Sequence, residues 1–156
     1  MDDRRMSINS FSGGIVCATR GGEGSRIVQM EAIRQAAALR KPLIFIYVVD
    51  AAVVTGIESG LITAVHDELL WMGKTLLRIA QRRAGAADLD AQLVIREGNV
   101  REEIARFLRE SEADVLLLGA PRGTTANTFG DDAIERFAVS IQEESAVDVQ
   151  IVYPES

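Results

Sequence analysis

The run Leu43-Ile44-Phe45-Ile46-Tyr47-Val48-Val49 is the strongest constraint on how this chain folds. Its apolar residues follow one another without a break, opened by Pro42 and closed by Asp50. A strand with one wet face alternates polar and apolar side chains, so this run fits a strand covered on both faces, as in parallel sheets. Shorter runs repeat the signature at Ile15 to Ala18, Ala91 to Ile95, Val115 to Leu118 and Val149 to Tyr153.

Helical patterns separate these runs. The first opens at Ser25, read as an N-cap, and places Ile27, Met30, Ile33 and Ala37 at helical spacing. The second is long, with Leu61, Val65, Leu69, Met72, Leu76 and Ile79 stepping by three or four. The third follows Asn99, whose side chain caps a helix with Glu102 at its third position and a stripe of Val100, Ile104, Phe107 and Leu108. The fourth begins near Asp131 or Asp132, read as caps rather than metal ligands, and buries Ile134, Phe137, Ala138 and Ile141. Strict alternation of strand and helix predicts an α/β fold: a single-domain, doubly wound, five-stranded parallel sheet with helices on both faces. Residues 1–13 read as a flexible leading segment and 14–156 as the domain.

Composition narrows the function. Of 156 residues, 47% are hydrophobic, which fits a globular domain. The net charge of −6, with no Lys/Arg run longer than a pair, disfavours a nucleic-acid surface. One Cys and one His exclude an intramolecular disulfide and the usual zinc ligand sets. No apolar run is long enough to span a bilayer, and the opening MDDRRMSINSFSGG lacks the apolar core of a secretory signal, so a cytoplasmic, membrane-free protein is expected. Cys17 reads as a small core residue, His66 as a surface residue beside the apolar stripe of the second helix, and Trp71 as packing or interface.

Two loops are candidates for chemistry. Thr19-Arg20-Gly21-Gly22-Glu23-Gly24-Ser25 follows the first strand, and the segment from Gly119 to Asp132 follows the fourth. Where the winding direction of such a sheet reverses, both open onto one crevice beyond the carboxyl ends of the strands. The glycines of the first loop let backbone N–H groups crowd an anion, or simply supply positive φ in a turn, and the turn reading is favoured. Arg20 and Arg122 would face the same mouth, and guanidinium forks suit phosphate oxygens. Thr124, Thr125 and Thr128 add hydroxyl donors.

The ordered segments I-V-C-A-T-R-G-G-E-G-S, I-Y-V-V-D, V-I-R-E-G-N-V-R-E-E-I and E-A-D-V-L-L-L-G resemble the universal stress protein family across essentially the whole chain. The resemblance implies strand order 3-2-1-4-5. It also implies a homodimer joined through the last strand, Val149 to Tyr153, with Tyr153 as an anchor. It implies an adenine nucleotide, ATP or AMP, with Mg²⁺ only alongside ATP. The binding set it implies is Thr19, Arg20, Gly21, Gly22, Val48, Gly119, Arg122, Gly123, Thr124, Thr125 and Asp131, with no catalytic or metal-ligating residue.

Several positions depart from the ATP-binding members. The family loop G-2x-G-9x-G-(S/T) is replaced by glycines at 119, 123 and 130, Asp131-Asp132 stands where Gly-Ser is expected, and Arg20 replaces an Asp after strand one. Carboxylates where a phosphate sits are repulsive, so an altered pose or a smaller anion such as a nucleoside monophosphate is expected. The function implied is a non-enzymatic stress-response dimer; the alternative is an ATP-binding nucleotide sensor or slow ATPase. The first loop is also similar to the S-G-G-x-D-(S/T) stretch of N-type ATP pyrophosphatases. Arg20 and Gly24 replace that motif's Ser and Asp, which argues against such an enzyme.

Overall fold

A computed structural model describes residues 13–20, 24–52, 58–121 and 133–154. Five strands, β1 (Ile15–Ala18), β2 (Leu43–Asp50), β3 (Ala91–Gly98), β4 (Val115–Gly119) and β5 (Asp148–Val152), form one parallel sheet in the order β3-β2-β1-β4-β5. The predicted fold class and strand order are those observed. Helices α1 (Gly24–Leu39) and α2 (Ser59–Ala86) cover one face, and α3 (Val100–Ser111) and α4 (Ala133–Ser145) the other.

The unbroken apolar runs follow from this two-sided cover. Ile15, Cys17, Phe45 and Leu117 point into the core shared with α1 and α2, while Val16, Ile44, Ile46, Leu116 and Leu118 point into the core shared with α3 and α4. Successive side chains of a strand go to opposite faces, so a sheet with two cores needs apolar residues at every position. No described helix is long and apolar enough to cross a membrane.

The helices depart from the sequence pattern in an instructive way. In α1 the buried residues are Val28, Gln29, Ala32, Ile33 and Ala36, whereas Ile27, Met30 and Ala37 are exposed. In α2 the buried face is Gly73, Leu77, Ala80 and Ala84, and the periodic residues Leu61, Met72 and Ile79 face out. Small residues face inward because they let the helix lie close to the strands. A Cβ on Gly73 would stand 2.4 Å from the Tyr47 ring. Helix α1 begins at Gly24, so Ser25 lies inside its first turn rather than at the cap, and its hydroxyl donates to the Arg20 carbonyl. Asn99 caps α3 as expected, its Oδ1 accepting the Glu102 N–H at 2.9 Å. The expected caps of the fourth helix, Asp131 and Asp132, lie outside the described residues.

Strand β3 runs to Gly98, three residues past its apolar stretch, because Arg96, Glu97 and Gly98 pair with Val48, Val49 and Asp50. Arg96 then binds the next helix: it pairs with Glu110 at 2.6 Å and lies over the Phe107 ring, 5.4 Å from its centre. Strand β5 occupies the sheet edge opposite β3, and the Tyr153 hydroxyl beyond it donates to Glu135 at 3.3 Å.

Candidate functional site

The sheet reverses its winding between β1 and β4. Helix α1, which follows β1, packs on one face, and α4, which follows β4, packs on the other. The helices that follow these neighbouring strands therefore lie on opposite faces, and in such a sheet a crevice opens at the carboxyl ends of the strands. A cavity of about 470 Å³ lies there.

Its rim comes from strand ends. Thr19 and Arg20 follow β1, Val48 stands near the end of β2, and Gly119 closes β4. Its walls come from helix starts, Val100 and Ile104 of α3 and Ile134 and Phe137 of α4. The lining is predominantly apolar, so it suits a flat, weakly polar group better than a hydrated ion.

Two polar features break this surface. The Arg20 guanidinium donates through Nη2 to the Gly119 carbonyl at 2.7 Å, spanning the fork between β1 and β4. That contact uses one of the five N–H donors of the guanidinium. The second feature is Thr19. Its N–H donates to the Ile46 carbonyl at 2.8 Å, which holds the chain in register with β2 for one residue past β1. Its side-chain oxygen is buried and, among the described residues, has no hydrogen-bond partner. A buried hydroxyl left unpaired costs about 1–3 kcal/mol, so this atom calls for a partner, which an ordered water or a bound ligand would supply.

Of the residues expected to bind a ligand, Thr19, Arg20, Val48 and Gly119 converge on this cavity. Gly21, Gly22, Arg122, Gly123, Thr124, Thr125 and Asp131 lie outside the described residues. The walls Val100, Ile104, Ile134 and Phe137 were legible only as buried helical stripes. An apolar side chain facing a cavity and one facing a core have the same periodicity, so the pattern alone does not separate them.

The remaining reactive groups stand elsewhere. Cys17 is fully buried in β1, and burial pushes its thiol up to about 12, so it is an inert core residue. His66 on α2 faces Glu97 at the end of β3, with Nε2 2.8 Å from Oε1, and does not line the cavity. Among the described residues no group of three or more His, Cys, Asp or Glu side chains is placed to hold a metal ion.

The model of the universal stress protein family matches residues 14–152. The chain belongs to the universal stress protein family. Solved members share the fold at low identity. A universal stress protein from Lactobacillus plantarum is 16% identical with a TM-score of 0.71, over 90% of this chain and 97% of that one. A universal stress protein solved in complex with cAMP is 21% identical with a TM-score of 0.63, over 92% and 98% of the two chains. One from Archaeoglobus fulgidus, solved in complex with dAMP, is 14% identical with a TM-score of 0.63, over 89% and 96%. No curated protein matches the chain.

Proposed function

We propose that this protein is a non-enzymatic, cytoplasmic stress-response dimer whose crevice binds an adenine nucleotide, preferably a monophosphate, as a regulatory signal. The observation that carries the reading is the unpartnered Thr19 hydroxyl beside an apolar cavity at the winding reversal, with the Arg20 guanidinium at its mouth. An apolar slot accepts a purine ring, and a guanidinium fork suits a phosphate. Similar proteins solved with cAMP and with dAMP support the same ligand class. Thr19, Arg20, Val48 and Gly119 would form the described part of the site; Arg20 would leave the Gly119 carbonyl, or share its remaining donors, to meet the anion.

Calorimetric titration with AMP, cAMP and ATP tests the proposal. Saturable binding of AMP is expected, weakened about tenfold or more in Arg20→Ala, as fits loss of a hydrogen bond to a charged group. Equal affinity of the two proteins for every nucleotide would reject it. Phosphate release from ATP and Mg²⁺ above a heat-killed control would instead establish the slow-hydrolase alternative. The dimer is proposed to form through the exposed edge of β5. Tyr153→Ala should then lower the sedimenting mass toward the monomer, and an unchanged mass would remove Tyr153 as its anchor.

A further inference from the structure

The cavity at the winding reversal is a slot between two apolar walls. One wall is the sheet: Ala18, Val48 and Leu118, from β1, β2 and β4, lie on the face covered by α3 and α4. The other wall is the opening turns of those helices, with Val100, Ile134 and Phe137. Tyr47 also borders the slot, but its ring packs against Gly73 on the opposite face of the sheet. Among the described residues, Phe137 therefore supplies the aromatic ring on the slot's own side.

Charge is sorted across the same space. Arg20 is the one charged side chain, among the described residues, that lines the slot, and it stands at the end of β1. The helix starts carry carboxylates instead, Glu102 and Glu103 in the first turn of α3 and Glu135 in that of α4. Carboxylates there interact with the positive end of the helix dipole and repel a further anion. The Glu102 N–H is already taken by the Asn99 cap. The cations of these turns are engaged elsewhere: Arg101 pairs with Glu144, and Arg136 borders a separate surface hollow with Val139 and Glu143.

We propose that an adenine nucleotide lies in this slot with its base between the sheet and Phe137 and its phosphate on Arg20. The proposal rests on the nucleotide reading above, and adds to it an orientation and the residue that recognises the base. A flat ring between two apolar walls loses water from both faces, and stacking on an aromatic side chain adds to that gain. A charged phosphate between the same walls would lose its hydration without a partner, whereas at the end of β1 it meets a guanidinium. The reverse orientation turns the phosphate toward the helix turns that carry Glu102, Glu103 and Glu135, and is disfavoured.

The test is calorimetric titration of the unaltered chain, Phe137→Leu and Arg20→Ala with AMP and with adenosine, beside photolabelling by 2-azido-AMP, whose azide sits on the base. The unaltered chain should bind adenosine as well as AMP, because the slot grips the base. Phe137→Leu should weaken both ligands by the same factor, about fivefold or more. Arg20→Ala should weaken AMP about tenfold or more and leave adenosine unchanged. Light should attach 2-azido-AMP to the unaltered chain at 100–104 or 133–137, and excess AMP should prevent it. The labelling needs no substitution, so it decides the matter even where Phe137→Leu fails to fold. An unaltered chain that does not bind AMP rejects the nucleotide reading and the orientation with it. AMP binding without adenosine binding, a folded Phe137→Leu protein that binds both ligands as the unaltered chain does, or AMP-protected label confined to the segment around Arg20 would each overturn the orientation and leave the nucleotide reading standing.

Discussion

The two ends of the β1–β4 pair are built on opposite principles. At the amino ends the chain is stitched: Asp114 accepts the Gly14 N–H at 2.9 Å, its own N–H donates to the Gly14 carbonyl at 3.0 Å, and Lys41 pairs with its carboxylate at 3.1 Å. The Ile15 N–H adds a bond to the Pro42 carbonyl at 2.8 Å. At the carboxyl ends, a few residues away, the same strands border a 470 Å³ cavity, an unpartnered hydroxyl and the Arg20 bridge to Gly119. One end satisfies its polar groups within the chain; at the other, among the described residues, the Thr19 hydroxyl is left buried without a partner. In an open parallel sheet the stitched end holds the fold and the open end is available for binding.

That contrast predicts where substitutions hurt. The largest loss is expected at the amino end, in Gly14→Ala. Gly14 has φ of +141°, and a Cβ there would stand 3.2 Å from the Pro42 carbonyl oxygen. Forcing an L-residue into this conformation costs about 1–3 kcal/mol before the close contact is added. Urea unfolding should show a loss near the top of that range, and a neutral result would mean that the amino end is looser than described. Next, Asp114→Ala removes the acceptor of the Gly14 N–H and the partner of Lys41. A loss of about 1–2 kcal/mol is expected, with AMP binding unchanged. A stability loss accompanied by loss of AMP binding would couple the two ends and blur the contrast.

The smallest effect concerns a tie at the carboxyl end. The Glu97 carboxylate hydrogen-bonded to His66 raises the imidazole above its ordinary value of 6.5, with Asp67 assisting. A raised folded-state value means that the charged imidazole stabilises the fold fully below the unfolded value, and that this contribution is lost as pH rises through the folded value. His66→Gln should therefore melt below the unaltered chain at about pH 6 and match it at about pH 9. The difference is small because the pair is partly solvated. A gap that widens with rising pH would contradict the assignment.

The fold was readable because two-sided burial leaves a plain mark. Leu43 to Val49 has no polar position, and only a strand between two helical layers requires that. The Asn99 cap was equally plain, since capping is a local interaction between a side chain and an N–H three residues on. The helix faces were misread where small residues do the packing. Gly73, Ala80 and Ala84 contribute little to an apolar pattern, yet they define the inward face of α2 because closeness, not side-chain size, sets the contact there. The end of β3 was missed because Arg96 and Glu97 belong to an edge strand, where the ladder continues after the apolar side chains stop. At the site, Thr19, Arg20, Val48 and Gly119 were accessible through motif and topology. The wall residues Val100, Ile104, Ile134 and Phe137 were not, because a cavity is a property of how the helices splay.

The most direct measurement is the melting temperature of Thr19→Val beside the unaltered chain, with and without AMP. The hydroxyl is buried and unpaired, and valine has nearly the same shape. If the carboxyl end holds this group for a ligand, Thr19→Val should melt about 2–4 °C higher without nucleotide, the shift expected for roughly 1 kcal/mol in a chain of this size. It should also lose most of the rise that AMP gives the unaltered chain. A Thr19→Val protein that melts lower without nucleotide and still gains the full AMP-dependent rise would contradict the assignment of the open end as the binding site.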